Sequence, residues 1–221
     1  MRARKIPKNR RSVTGKFPSQ KLDRLVSYES TLERDLFTLL EFDPNVTDYE
    51  EQPVKIDYEL LTGRLSRYTP DARAILREHP LSGEPVPPVL IEIKYRKDLQ
   101  IDLPGLRQRM RAGARFAKQN GWTFRVLTER HIRSPFLDNA RLLLGYRRLP
   151  TLDRDVIAAM QHIARSRGQI AGDDLVQAIG SAAVDRDTVI RHFWHLLSTF
   201  QLQVDLNRPL SMSSIVKPIY A

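Results

Sequence analysis

Two short phrases hold side chains suited to acid-base and metal chemistry: Tyr68-Thr69-Pro70-Asp71 and Ile91-Glu92-Ile93-Lys94. On a strand alternate residues share a face, so Glu92 and Lys94 point one way while Ile91, Ile93 and Tyr95 point into a core. If that strand pairs with the one bearing Asp71, two carboxylates and an ammonium converge on one point. Such a point suits Mg²⁺, with Mn²⁺ as a substitute, because the ion takes hard oxygen ligands and keeps waters and a substrate phosphate oxygen. Asp71, Glu92 and the backbone carbonyl of Ile93 supply the protein ligands in this reading, and Glu33, upstream, is the further acid. The ion would lower the pKa of a bound water and stabilise a phosphoryl transition state, with Lys94 orienting or deprotonating the water. Glu-x-Lys among aliphatics has a plainer meaning when alone, namely polar residues on the wet face of a strand. The Pro-Asp on a preceding strand and the upstream Glu raise the set above that plainer meaning.

The elements that must position these residues are legible from periodicity. Leu32, Leu36, Leu39 and Leu40 predict a helix over Ser30–Phe42, capped by Ser30 or Thr31 and carrying Glu33. The alternation Val54, Ile56, Tyr58, Leu60 predicts a strand ended by Thr62-Gly63, and Tyr68–Leu76 and Val89–Tyr95 predict two more, together a β-meander. From Asp102 the apolar positions Leu103, Leu106, Met110, Ala114 and Ala117 recur at helical spacing as far as Asn120-Gly121. Trp122–Leu127 then reads as a strand and Phe136–Arg147 as a helix. A mixed α/β layer with one central sheet follows, over residues 25–150.

Residues 151–221 differ in pattern. Three amphipathic helices, around Val156–Ile163, Leu175–Ile179 and Val189–Leu197, precede the alternation Leu202, Val204, Leu206, a turn at Asn207-Arg208-Pro209, and an apolar run Ile215–Ile219. Three helices plus a terminal hairpin predict a winged-helix-like domain, a module that binds DNA or protein. His192-x-x-His195 lies on one helix face, but it lacks the Cys or Glu companions of a zinc motif and reads as surface or partner-facing.

The 221-residue chain contains no Cys, which excludes disulfides and a Cys nucleophile, and no apolar stretch reaches the roughly 18 residues of a membrane span. A cytoplasmic protein without a membrane partner is expected. The net charge of +10 is concentrated. Residues 1–24 hold nine Lys/Arg against one Asp, and residues 97–148 hold twelve against four acids, whereas residues 151–221 balance at seven of each. Residues 1–24, with Pro7, Gly15 and Pro18, read as a flexible basic arm with order beginning near Leu25. Arg107, Arg111, Arg115 and Lys118 form a stripe opposite the apolar face of their helix and are the candidate contacts to a DNA backbone. Tyr95, Trp122 and Phe124 sit in strand patterns and are expected in the core.

Residues 28–150 resemble the TnsA endonucleases of heteromeric bacterial transposons. The phrases that carry the resemblance run in family order: Glu29-Ser30-Thr31-Leu32-Glu33-Arg34-Asp35, Leu39-Leu40-Glu41-Phe42-Asp43-Pro44-Asn45-Val46, Tyr49-Glu50-Glu51-Gln52-Pro53, Tyr68-Thr69-Pro70-Asp71, Ile91-Glu92-Ile93-Lys94-Tyr95 and Leu127-Thr128-Glu129-Arg130-His131-Ile132. The resemblance implies a restriction-endonuclease-like domain followed by a winged-helix-like one, with Glu33, Asp71, Glu92 and Lys94 as catalytic positions. Some family members have Gln at the position of Glu92. It further implies metal-dependent cleavage of the 5′ strand at double-stranded transposon ends, beside a separate DDE transposase and an AAA+ ATPase regulator docked on the C-terminal part. Two other readings compete. A stand-alone restriction or repair nuclease would share the acidic set but not the phrases around Pro44 and Pro53. A non-catalytic DNA-binding assembly subunit would have no reason to keep Glu33, Asp71, Glu92 and Lys94 together.

Overall fold

The computed structural model describes residues 13–79, 82–101, 103–180 and 184–219. The chain divides into two units, Met1–Ile132 and Arg133–Ala221.

The first unit opens with a hairpin, β1 (Gly15–Ser19) and β2 (Arg24–Tyr28), paired from Gly15↔Tyr28 to Ser19↔Arg24. This corrects the expectation that order begins near Leu25. Phe17 and Val26 pack into the core, and Ser19 donates to the buried Glu41, so the end of the basic segment is tied down. Residues 1–12 of the expected arm lie outside the described residues.

Helix α1 (Thr31–Phe42) starts where the capping signal places it, with the Ser30 hydroxyl accepting from the Glu33 N–H. Then come β3 (Val46–Glu51), β4 (Ile56–Glu59), β5 (Leu65–Tyr68), β6 (Ala72–Leu76), β7 (Val89–Ile93), α2 (Arg96–Ile101), α3 (Leu103–Gln119), β8 (Thr123–Leu127) and α4 (Glu129–Ile132). The central sheet runs β3-β6-β7-β8, antiparallel except for β7 beside β8, while β4 and β5 form a separate hairpin.

The expected elements are therefore corrected in three places, the meander in one of them. Tyr68–Leu76 is not one strand: Thr69-Pro70-Asp71 breaks it, and the chain leaves the β4–β5 hairpin for the central sheet. Proline at 70 has no N–H to give a ladder, which suits a strand change. The unanticipated β3 shows only Val46 and Tyr49 buried, because an irregularity between Val46 and Asp48 breaks the alternation. Helix α2 also went unread, since it buries no residue and so has no apolar period.

The sheet is covered on both faces. One apolar cluster joins Leu32, Leu36 and Phe37 of α1 to Tyr49, Ala72, Ile91, Ile93 and Ile132, with Tyr95 packed against it. The other joins Ile56, Tyr68, Leu90, Ala112 and Ala117, with Phe116, Trp122 and Phe124 packed against it. The two isoleucines of β7 thus face α1, and Leu90 faces α3 and the β4–β5 hairpin.

The second unit contains α5 (Pro135–Leu144), α6 (Arg154–Arg167), β9 (Ile170–Ala171), α7 (Gly172–Ile179), α8 (Arg186–Ser198), β10 (Leu202–Gln203) and β11 (Ile215–Pro218). By internal contacts α5 falls in this unit, whereas a boundary at Pro150 groups it with the first. The three short strands form an antiparallel sheet in the order β10-β11-β9. Asn139 of α5 holds the loop before β11: its amide donates to the carbonyls of Leu206 and Arg208 at 2.9 and 2.7 Å, and its oxygen accepts from the Leu210 N–H. His192 and His195 are buried, at 3% and 6% exposure, which corrects their placement on the surface. His192 Nε2 accepts from the Asp153 N–H while Nδ1 bonds the Thr188 carbonyl, and His195 Nδ1 bonds the Tyr146 carbonyl. Both histidines brace helix ends and loops. Among the described residues no helix is long and apolar enough to cross a membrane.

Candidate active site

Asp71 and Glu92 face each other because of strand register. Pairing Ala72↔Ile91 and Arg73↔Leu90 places the residue before Ala72 opposite the residue after Ile91. An oxygen of Asp71 accepts from the Ile93 N–H at 2.6 Å, so the carboxylate caps the end of the β6–β7 ladder. Glu92 is only 1% exposed and lies on the α3 face of β7. Its two oxygens are held by Tyr68, whose hydroxyl donates at 2.7 Å, and by the Lys94 ammonium. Lys94 also donates to the Ile93 carbonyl at 2.9 Å and lies 3.9 Å from Asp71. The wet-face reading of Glu-x-Lys therefore fails at Glu92, while the expected shared face of Glu92 and Lys94 holds.

Like charges on facing strand positions are unfavourable, the more so when buried. Burial, and next the charge of Glu92, push the Asp71 carboxyl well above the ordinary carboxylate range. For Lys94 burial works downward, but the charges of Asp71 and Glu92 outweigh it and hold the ammonium above its usual value. Tyr68 is also raised, first by burial and then by Glu92. Three oxygens, from Asp71, Glu92 and the Ile93 carbonyl, thus surround a single positive centre. That donor set, oversupplied with negative charge, fits a hard divalent cation.

Glu33 takes a different place. One of its oxygens accepts from the Glu29 N–H and the other from the Ser30 hydroxyl, each at 2.9 Å, so it is engaged in the cap of α1. Burial raises its carboxyl while those bonds and the charge of Lys94 act downward, and Asp71 in turn senses Glu33. Glu33 is thus within electrostatic reach of the cluster without bonding to it. Among the described residues no group of three or more His, Asp or Glu side chains is arranged to hold a metal ion.

Two contributors were not singled out from the sequence. Tyr68 anchors Glu92 across strands. Gln52, in a left-handed backbone conformation with φ of 49°, donates its N–H to the Asp71 carbonyl at 3.0 Å and its side-chain amide to Glu29 at 3.0 Å. The phrase Glu51-Gln52-Pro53 therefore links the backbone of Asp71 to the cap that holds Glu33. The signal was the phrase itself, but its meaning depended on pairings remote in sequence.

Arg107, Arg111, Arg115 and Lys118 are all exposed on α3. Arg111 and Arg115 line a groove of about 360 Å³ between α3 and the β4–β5 hairpin, together with Lys55, Tyr58, Leu61 and Gln108. Tyr95, Trp122 and Phe124 are partly buried against the two core clusters, as expected, and the Arg73 guanidinium lies 5.1 Å over the Trp122 ring.

Residues 43–129 match the family model described as TnsA-like endonuclease N terminal. Within the first unit, that stretch is therefore a TnsA-like endonuclease N-terminal domain by similarity. The matched stretch contains β3 to β8, and with them Gln52, Tyr68, Asp71, Glu92 and Lys94. Helix α1 with Glu33 precedes the match, and the second unit of the chain follows it. The mixed sheet with helices on both faces agrees with a restriction-endonuclease-like layout for the TnsA-like domain. No curated protein matches the chain.

Proposed function

We propose that the chain is a Mg²⁺-dependent endodeoxyribonuclease that cuts the 5′ strand at the ends of a transposon, with a separate DDE transposase acting on the other strand. The observation that carries this reading is the facing pair Asp71 and Glu92 with Lys94 between them, in a domain matched to TnsA-like endonucleases. Asp71, Glu92 and the Ile93 carbonyl would hold the metal. Glu33 would join them by releasing one of its cap bonds. When bound, the ion supplies Lewis acidity and a lowered pKa for water. Within that frame Tyr68 fixes the rotamer of Glu92, the Asp71 bond to the Ile93 N–H fixes the ladder end, and Lys94 orients the attacking water. Arg107, Arg111, Arg115 and Lys118 contact the DNA backbone, whose affinity is salt-dependent and carries no sequence readout.

The second unit acts as a winged-helix-like docking module for an AAA+ regulator. Support comes from the order α6, β9, α7, α8, β10, β11 and from the neutral charge of residues 151–221, which gives little drive for DNA binding. An apolar groove of about 410 Å³, lined by Leu197, Phe200, Leu202, Val204, Leu206 and Ile219, is the surface for it.

The test is cleavage of end-labelled transposon ends by the chain assembled with its partner proteins. Asp71→Ala and Glu92→Ala abolish cutting of the 5′ strand while assembly persists; full cutting by either would sink the assignment. Ile219→Asp should lose regulator capture and keep duplex affinity. Efficient, site-specific cutting by the isolated chain would favour the stand-alone nuclease instead.

A further inference from the structure

Arg109 stands apart from the basic stripe of α3. Leu106, Ala112, Gly113 and Ala117 are the buried side of that helix. At about 100° per residue Arg109 falls within their arc, roughly opposite Arg107 and Arg111. It is only partly exposed, and among the described residues it forms no ion pair. A guanidinium on the sheet-facing side of a helix, outside any ion pair among the described residues, keeps its N–H donors for another partner.

Topology shows what Arg109 faces. Helix α3 connects the parallel strands β7 and β8, so it runs back against the direction of β7. Ala112 and Ala117 pack in one cluster with Leu90 and Tyr68. Moving from Leu90 to Glu92 advances roughly 6.6 Å along the strand, and moving back from Gly113 to Arg109 covers roughly 6 Å along the helix. Arg109 is thereby level with Glu92 and Lys94. Its charge acts on both Tyr68 and Lys94, which agrees with that placement.

We propose that Arg109 binds the scissile phosphate, its guanidinium donating to a non-bridging oxygen while water attacks. This rests on the nuclease reading above. In that step the water oxygen bonds to phosphorus, the P–O3′ bond breaks, the water proton passes to solvent and the departing 3′ oxygen is protonated from solvent. Arg109 neither gains nor loses a proton. Its planar fork presents N–H donors to that oxygen, and their bonds strengthen as negative charge accumulates on it. The exposed arginines of the same helix bind flanking phosphates, and Arg109 binds the one that reacts.

Single-turnover cutting by the full chain with its partner proteins tests this, using an ordinary scissile phosphate and each of its two phosphorothioate stereoisomers. Arg109→Ala should slow cutting on the order of 10²-fold, while duplex affinity stays close to that of the parent chain. One sulfur isomer should slow the parent chain more than it slows Arg109→Ala, because the contact it weakens is already gone. Arg109→Lys keeps the charge and loses the fork; it should fall between the two in rate, with a reduced sulfur effect, and carries the test if the alanine variant does not fold. Cutting by Arg109→Ala at the parent rate, or slower cutting with an undiminished sulfur effect, would overturn the assignment and leave the nuclease reading intact. Failure of the parent chain itself to cut would overturn both.

Discussion

Two buried glutamates in the same unit have opposite surroundings. Glu41 and Glu92 are 2% and 1% exposed. Glu41 is surrounded by donors: the Ser19 hydroxyl, the N–H groups of Gln20 and Lys21, and the Tyr49 hydroxyl all bond its two oxygens at 2.7–3.1 Å. It fastens the β1–β2 hairpin to α1. Glu92 has one hydroxyl and one ammonium, and it faces a second carboxylate across the ladder. A carboxylate saturated by neutral donors is a stable structural part. A pair of facing carboxylates sharing one ammonium is a costly arrangement, of the kind found where a site is built to bind.

That contrast can be broken by experiment. The largest effect is expected at Glu92→Gln, which should cut the rate on the order of 10³-fold. Because it removes one of two like charges, its melting temperature in chelator should not fall; a large loss of stability would make Glu92 another structural glutamate. Glu41→Ala is the converse case. It strands the two buried hydroxyls of Ser19 and Tyr49 and loses two part-buried N–H bonds, and should cost about 3 kcal/mol of stability by denaturant titration, since unsatisfied buried donors carry their full desolvation penalty. A stability loss below about 1 kcal/mol, the net worth of one ordinary hydrogen bond, would show that the cluster is not the fastening.

Gly113→Ala probes the support of Tyr68. A Cβ there would lie 2.7 Å from the Phe124 ring and 3.0 Å from the Tyr68 ring, so α3 approaches the sheet only because this residue lacks one. Overpacking should cost about 1–3 kcal/mol and displace Tyr68 from Glu92. A rate and a melting temperature both equal to those of the parent chain would show that the rings yield freely.

The smallest effect is expected at Arg24, whose guanidinium pairs with Glu51 at 2.7 Å on a partly exposed surface. Burial acts upward on the Glu51 carboxyl, but the Arg24 bond, backbone N–H groups and the Arg24 charge bring it below its ordinary value. A depressed carboxylate stabilises the fold above its unfolded pKa and loses that contribution as pH falls through the folded value. Arg24→Gln should therefore cost less than about 1 kcal/mol near neutral pH, screened by salt. The difference from the parent chain should vanish in acid, and one that persists there would show that the pair is not its source.

Much of this was legible along the chain because it is local. The cap of α1 needs only Ser30 and Glu33 three positions apart, and the shared face of Glu92 and Lys94 needs only strand alternation. The acidic set and the family phrases lie in short runs that a reader meets in order. What remained hidden depended on partners distant in sequence. Residues 15–19 hold Gly15 and Pro18 around a lone Phe17, and they become a strand only because β2 pairs with them and Glu41 receives Ser19. Arg109 is one more arginine in a basic helix until α3 is laid against β7. His192 and His195 carry no sign of being buried, since their partners at Asp153 and Tyr146 come from other elements. The sequence alone determined which groups can do the chemistry, because side-chain type and local period are written residue by residue. Only the tertiary structure decided which of two buried glutamates faces a second carboxylate, because that depends on register across strands and on what approaches each one through space.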